Sequence, residues 1–285
     1  MLPIQAFSKA FFNLLKTLLA VVFIILSSKQ LTAGGELLPI GSRQAGMGRI
    51  SVALTDFWGI QNNQAGIALI DKINIGIYYE SRFLINRLST KDMAIVVPTK
   101  IGVLGASFNY FGYSLYNDMK IGLTYARSFS PYFRVGLQLD YLMTSLGDNY
   151  GTKSNVTFEL GVQSDVTKNL TIGAWVYNPI QVKLANYNNE KIPAIFRLGL
   201  TWQIIKGFLV SIEAEKNSAI SPILLRAGLE YGIHDKFFLR GGFSTYQEIF
   251  SMGFGMKFKF LRLDISAVMH QSLGFSPQAS LIVMF

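Results

Sequence analysis

From Lys72 to the C terminus the chain alternates apolar and polar residues at a period of two, the spacing that sends successive side chains to opposite faces of a strand. Ile73, Ile75, Ile77 and Tyr79 stand against Asn74, Gly76, Tyr78 and Glu80. Farther on, Val135, Leu137, Leu139, Tyr141 and Met143 stand against Arg134, Gly136, Gln138 and Asp140. Following the alternation predicts fourteen strands. They are 73–80, Met93–Val97, Val103–Tyr110, Met119–Ser128, Phe133–Thr144, Val156–Ser164, Leu170–Tyr177, Phe196–Ile204, Phe208–Lys216, Leu224–Tyr231, Phe237–Phe243, Ile249–Phe258, Leu261–Met269 and Gln278–Phe285. Most are long enough to cross a bilayer core when tilted.

The connections alternate as well. Long ones are expected at Arg82–Asp92, Phe111–Asp118, Ser145–Asn155, Asn178–Ala194 and Asn217–Ile223, and short turns between them, with 244–248 a short exception. An even-stranded membrane barrel with both chain ends in the periplasm has that asymmetry, whereas a soluble sandwich has no reason to keep it. The expected fold is therefore all-β, a 14-stranded antiparallel transmembrane β-barrel with an N-terminal plug segment, in the outer membrane of a Gram-negative bacterium, N and C termini periplasmic.

The plug comes from the stretch ahead of the first strand, Pro39 to Leu69, which is too rich in Gly and Asn for a stable helix. It contains Gly41-Ser42-Arg43-Gln44-Ala45-Gly46-Met47-Gly48, then Val52-Ala53-Leu54 and Asp56, then Asn63-Gln64-Ala65-Gly66-Ile67-Ala68. This order and spacing resembles the opening of the FadL-like outer-membrane barrels, most closely the PorV/PorQ branch associated with type IX secretion. Gln64 stands where the family pattern has Pro. The resemblance implies a fourteen-stranded barrel closed by this segment. It singles out Arg43, Gly46, Gly48, Asp56, Asn63, Ala65 and Gly66 as plug residues with a structural or gating role. The terminal Phe285, on the apolar face of the last strand, resembles the signal read by the outer-membrane insertion machinery.

Composition fits the same class. Hydrophobic residues make up 50% of the chain and charged ones 15%, and mean hydropathy is +0.33. After the first strand, however, no run of about eighteen uncharged apolar residues suggests a spanning helix. The first 33 residues read as a signal peptide: Lys9 and Lys16 flank an apolar core, Thr17–Leu26, and Ala33 ends a plausible cleavage site. The domain layout is then 1–33 signal peptide, 34–72 plug and 73–285 barrel. The formal charge of +9 falls to +6 once Lys9, Lys16 and Lys29 leave with the leader, and the remaining cations are scattered, so no nucleic acid is expected.

With the apolar phase assigned to lipid, the other phase faces the lumen. That places Glu80, Asp140, Glu159, Glu213, Glu215, Glu230 and Asp264 inward, with Lys120, Arg134, Arg197, Arg226, Arg240, Lys257 and Arg262. A selective open pore favours one sign at its constriction; this mixture suggests ion pairs around a plug. Gly76, Gly122, Gly136, Gly161, Gly173, Gly199, Gly228 and Gly253 share the inward phase, where a missing side chain makes room for something close to the wall.

No enzyme is expected. With no Cys and only His234 and His270, neither a thiol nucleophile nor a multi-His metal site can be built, and no cofactor or metal is called for. His270 near Ser272 is weighed as a lipase-type pair and set aside in favour of a rim histidine. Two functions remain. Resemblance to the PorV/PorQ branch implies an accessory of protein secretion across the outer membrane; resemblance to the FadL transporters implies uptake of small hydrophobic compounds. The modest outer loops favour the first, because a transporter needs an apolar cup to catch ligand. Expected partners are outer-membrane lipid and lipopolysaccharide, the insertion machinery, and either secretion-system proteins or a hydrophobic small molecule.

Overall fold

The computed structural model describes residues 37–147, 151–183, 191–245 and 248–285. The expected signal peptide lies outside these residues, as does most of the tip of the loop between 178 and 194. Fourteen strands among the described residues close into one antiparallel barrel, each paired with its sequence neighbours, and the first pairs with the last. They are β1 Asn74–Ser81, β2 Ser89–Thr99, β3 Gly102–Tyr113, β4 Tyr116–Ser130, β5 Phe133–Leu146, β6 Gly151–Thr167, β7 Leu170–Tyr177, β8 Ile195–Ile205, β9 Phe208–Asn217, β10 Leu224–His234, β11 Phe237–Ser244, β12 Ile249–Lys257, β13 Leu261–His270 and β14 Gly274–Met284. Closure satisfies every strand edge, which an open sheet in lipid could not do.

The alternation read from the sequence is the alternation of burial. On β1, Ile75, Ile77 and Tyr79 are exposed while Asn74, Gly76, Tyr78 and Glu80 are buried. Exposed here means facing lipid, as for Leu137, Leu139, Leu198 and Met252. Bulky aromatics cluster where the strands end: Phe129, Tyr132, Trp202, Phe258, Phe260 and Phe285 all lie outward near the short turns. Such a girdle suits the bilayer interface, where a ring can be half in lipid and half in water.

Two of the expected long loops are corrected. Phe111–Asp118 is a hairpin whose strands run on to Tyr113 and from Tyr116. Within Ser145–Asn155 most residues belong to β5 and β6, which pair as far as Leu146 and Gly151. Above the bilayer both faces of a strand meet water, so Gly151-Thr152-Lys153-Ser154-Asn155 has no apolar phase to betray it. Asp92, expected in a loop, belongs to β2 and is buried. Long connections do remain between β1 and β2, β7 and β8, and β9 and β10, all at one end of the barrel.

The segment before β1 lies inside the barrel. It forms two short helices, α1 Ser42–Gly46 and α2 Gly59–Asn62, and a 3-10 turn, Gln64–Ile67. Leu37, the first described residue, sits at the long-loop end, where its carbonyl accepts from Arg197, while Phe285 hydrogen-bonds Ile73 at the short-turn end. The segment runs through the lumen from one mouth to the other, so it joins β1 at the end opposite its start.

Candidate functional site

The lumen wall is shaped to receive this segment. Seven of the eight inward glycines named from the sequence meet it: Gly76 faces Phe57, Gly136 Gln64, Gly161 Asn63, Gly173 and Gly199 Val52, Gly228 Met47, and Gly253 Gly46. Gly122 differs, its space being taken by Gln138 and Ser107 of the wall. Gly105 and Gly242, not singled out from the sequence, do the same work against Ile60 and Gly48. A Cβ on Gly46 would lie 2.9 Å from the Cα of Gly253, so two backbones touch there. Gly48 has φ 72°, and a Cβ would meet the Phe243 carbonyl at 2.7 Å. Its N–H donates to Ser251 Oγ at 2.7 Å. Only glycine combines that backbone conformation with that clearance.

Apolar packing anchors the segment at both ends. Toward the short turns, Ile40, Phe57, Trp58, Ile60 and Ile67 pack on Tyr78, Val96, Val103, Ala126 and Ile282. Toward the long loops, Val52 and Ala53 pack with Leu142, Trp175, Tyr177 and Ile195. Asn62 ties the segment to itself, its side-chain N–H groups donating to the Ile40 and Trp58 carbonyls while its oxygen accepts from Ile40 N. Asn63 does the reverse job: its Nδ2 reaches Val52 O at 2.6 Å, and Val162 O and Ala174 O of the wall at 3.2 and 3.3 Å. Its Oδ1 accepts from Ala65 N, which starts the 3-10 turn. A Cβ on Gly66 would come 2.9 Å from Leu54 O.

Charge does the rest. Arg43 pairs with Asp56 at 3.0 Å within the segment and with Glu230 of β10 at 2.6 Å. Burial opposes the charge on Arg43, but the adjacent Glu230 and Asp56 carboxylates outweigh it and raise its pKa above the ordinary value. Arg49, missed from the sequence, pairs with Glu80, which also accepts from Tyr78 OH at 2.9 Å. Glu213 accepts from the backbone N–H groups of Ser51 and Val52 at 2.8 and 2.7 Å, and from Arg226 at 2.7 Å. Arg226 and Arg197 share Glu215, and Arg240 joins Glu230 to Asp264, which Arg262 also meets.

Across the lumen Glu159 accepts from Lys120 at 2.7 Å, Gln64 at 2.5 Å and Trp175 at 3.0 Å. Asp140 accepts from Gln138, and Asp92 from Gln61 and Asn109. Arg134, expected inward, is buried and forms its pair with Asp165. Lys257, also expected inward, is exposed, because it is the last residue of β12, at the short-turn mouth. His234 and His270 lie near opposite ends of the barrel. His270 packs edge-on against Phe83 at 4.8 Å. Arg49 could have been found from its place beside Gly48; Gln61 and Gln64 carry no charge to mark them.

No protein-family model and no characterised protein matches the sequence. Solved structures do match in shape. The CymD monoaromatic hydrocarbon channel superposes with a TM-score of 0.68 at 14% identity, covering 88% of this chain and 99% of its own. The toluene transporter TbuX of Ralstonia pickettii gives 0.65 at 12%, over 87% and 98%. The fold is that of the FadL-like channels. A FadL homologue of Pseudomonas aeruginosa is similar as well, at 0.59 and 13% identity over 90% and 99%.

Proposed function

We propose that this barrel sits in the outer membrane with its long loops outward and passes small hydrophobic compounds, in the manner of a FadL-like channel. The observation that carries this is the near full-length fold match to barrels described as hydrocarbon channels and toluene transporters. It reverses the preference drawn from loop length, since those neighbours are named for transport and not for secretion. The chain does no chemistry of its own in this function; the plug residues Arg43, Gly46, Gly48, Asp56, Asn63, Ala65 and Gly66 hold the lumen closed until a compound displaces part of the segment.

A second reading keeps one observation in its favour. The plug meets an ion-paired, amide-rich wall, a poor surface for a hydrocarbon and a good one for a fixed, partner-binding barrel. That is the PorV/PorQ-type role in secretion. The experiment is uptake of radiolabelled toluene by vesicles carrying the purified barrel. Faster entry than into barrel-free vesicles supports the channel; entry at the barrel-free rate, with loss of exported cargo in cells lacking the protein, supports the accessory role.

A further inference from the structure

The short-turn end of the barrel gathers charge that the sequence scatters. Successive strands alternate in direction, so every second connection returns to the same end. Six short turns join the strands there, and five of them carry a lysine: Lys100 between β2 and β3, Lys168 between β6 and β7, Lys206 between β8 and β9, Lys236 between β10 and β11, and Lys259 between β12 and β13. The sixth turn follows Arg127 near the end of β4, and Lys72 stands just before β1. With Lys257 at the end of β12 the cations number eight, all exposed, and among the described residues none lies within ion-pair distance of a carboxylate. Two exposed carboxylates, Asp71 and Asp235, share the rim, and a third, Asp165, is taken up by Arg134. The excess of six positive charges here equals that of the whole chain beyond Ala33.

Each cation of the rim has an exposed apolar neighbour. Ile73 adjoins Lys72, Ile101 adjoins Lys100, Ile205 adjoins Lys206, Phe237 adjoins Lys236 and Phe260 adjoins Lys259. Val166 and Phe129 lie two residues from Lys168 and Arg127. These seven apolar side chains are 39–67% exposed. A basic rim standing in water would leave them wet. At the edge of a bilayer the pairing is favourable, because the apolar side chain enters the hydrocarbon while the long cationic one reaches the phosphates. At the opposite end the β5–β6 hairpin rises into water, and its Lys153 stands between Thr152 and Ser154.

We propose that this rim is a collar for anionic glycerophospholipids, each cation meeting a headgroup phosphate while its apolar neighbour meets an acyl chain. The cations are spread around the whole circumference, from the start of β1 to the β12–β13 turn, which fits an annulus of lipid. A protein partner would call for a patch on one side. The proposal rests on the outer-membrane placement with long loops outward, which sets the collar in the periplasmic leaflet.

Native mass spectrometry of the purified barrel tests it, with phosphatidylglycerol titrated against phosphatidylethanolamine of the same acyl chains. Phosphatidylglycerol is expected to bind about fivefold more tightly, the effect of one lysine beside an anionic headgroup. That preference should fall as salt is raised, because exposed charges are screened. Lys100→Gln, Lys168→Gln, Lys206→Gln, Lys236→Gln and Lys259→Gln, combined, should abolish it. Five changes at the long-loop end, Arg87→Gln, Lys91→Gln, Lys153→Gln, Lys183→Gln and Lys191→Gln, should leave it intact. Equal binding of the two lipids by the wild type, a preference indifferent to salt, one kept by the turn variant, or one lost equally in both variants overturns the proposal. Polyglutamate bound by the wild type in place of phosphatidylglycerol would assign the rim to an acidic protein and overturn it as well. The salt titration of the wild type decides the matter if the turn variant fails to fold. Lipid binding is read on the isolated barrel and toluene uptake across a vesicle wall, so the collar and the channel can fail separately.

Discussion

On the side of the lumen formed by β8 to β13 and β1, six arginines meet six carboxylates: Arg43, Arg49, Arg197, Arg226, Arg240 and Arg262 with Asp56, Glu80, Glu213, Glu215, Glu230 and Asp264. On the side formed by β2 to β7, Lys120 pairs with Glu159 and, away from the plug, Arg134 with Asp165, while Asp92, Asp140 and Glu159 take their other hydrogen bonds from Gln61, Asn109, Gln138, Gln64 and Trp175. The first side holds the plug by matched charge, the second by neutral donors to carboxylates. A buried ion pair contributes little net stability when intact, but stranding one member is costly. An amide-solvated carboxylate has no such hostage, so changing it should be far milder. The two sides therefore differ less in how strongly they grip than in how they fail.

The sharpest test is the same chemical change on both. Glu230→Gln takes away one of the two carboxylates that each of Arg43 and Arg240 meets, leaving Arg43 on Asp56 and Arg240 on Asp264, and should cost about 3 kcal/mol. The readout is the temperature at which the barrel loses its fast, folded migration on a denaturing gel. The plug should loosen too, raising ion conductance in a planar bilayer. An unchanged transition temperature and conductance would show that the arginine side does not hold the plug.

On the opposite side, Gln64→Leu removes the 2.5 Å donor to Glu159 while keeping the bulk that fits against Gly136. A hydrogen bond to a charged group contributes about 1.5–3 kcal/mol, and the loss should be of that size, read by the same gel transition. Because Lys120 and Trp175 still serve Glu159, conductance should rise less than in Glu230→Gln. A larger rise would reverse the order of the two sides.

Asp92→Asn is expected to be the mildest. The carboxylate accepts from two amides and has no ion pair of its own, so an isosteric amide keeps the shape and can turn to suit Gln61 and Asn109. The transition should move by no more than about 0.5 kcal/mol in either direction. A loss near that of Glu230→Gln would mean that Lys120 depends on this charge, and that the acidic side is an ion-pair network after all.

These three residues also mark where the chain could be understood before it was folded. Strand number, strand phase and the inward set of charges were legible because lipid on one face and polar groups on the other enforce a period of two, and that period survives in single residues such as Leu137 beside Gln138. Glu230 was placed in the lumen on that ground alone. Its partner was not, because pairing across a closed barrel depends on how the plug threads, and Arg43 lies 187 residues away. In the sequence Gln64 is only a departure from a pattern, and nothing local announces that its amide reaches Glu159. By sequence Asp92 reads as a loop residue, because β2 extends above the region where alternation is enforced. Local alternation thus settles which way a side chain points. Which side chain it meets, and how the segment threads the lumen, follow from closing fourteen strands around a segment that must satisfy each buried charge.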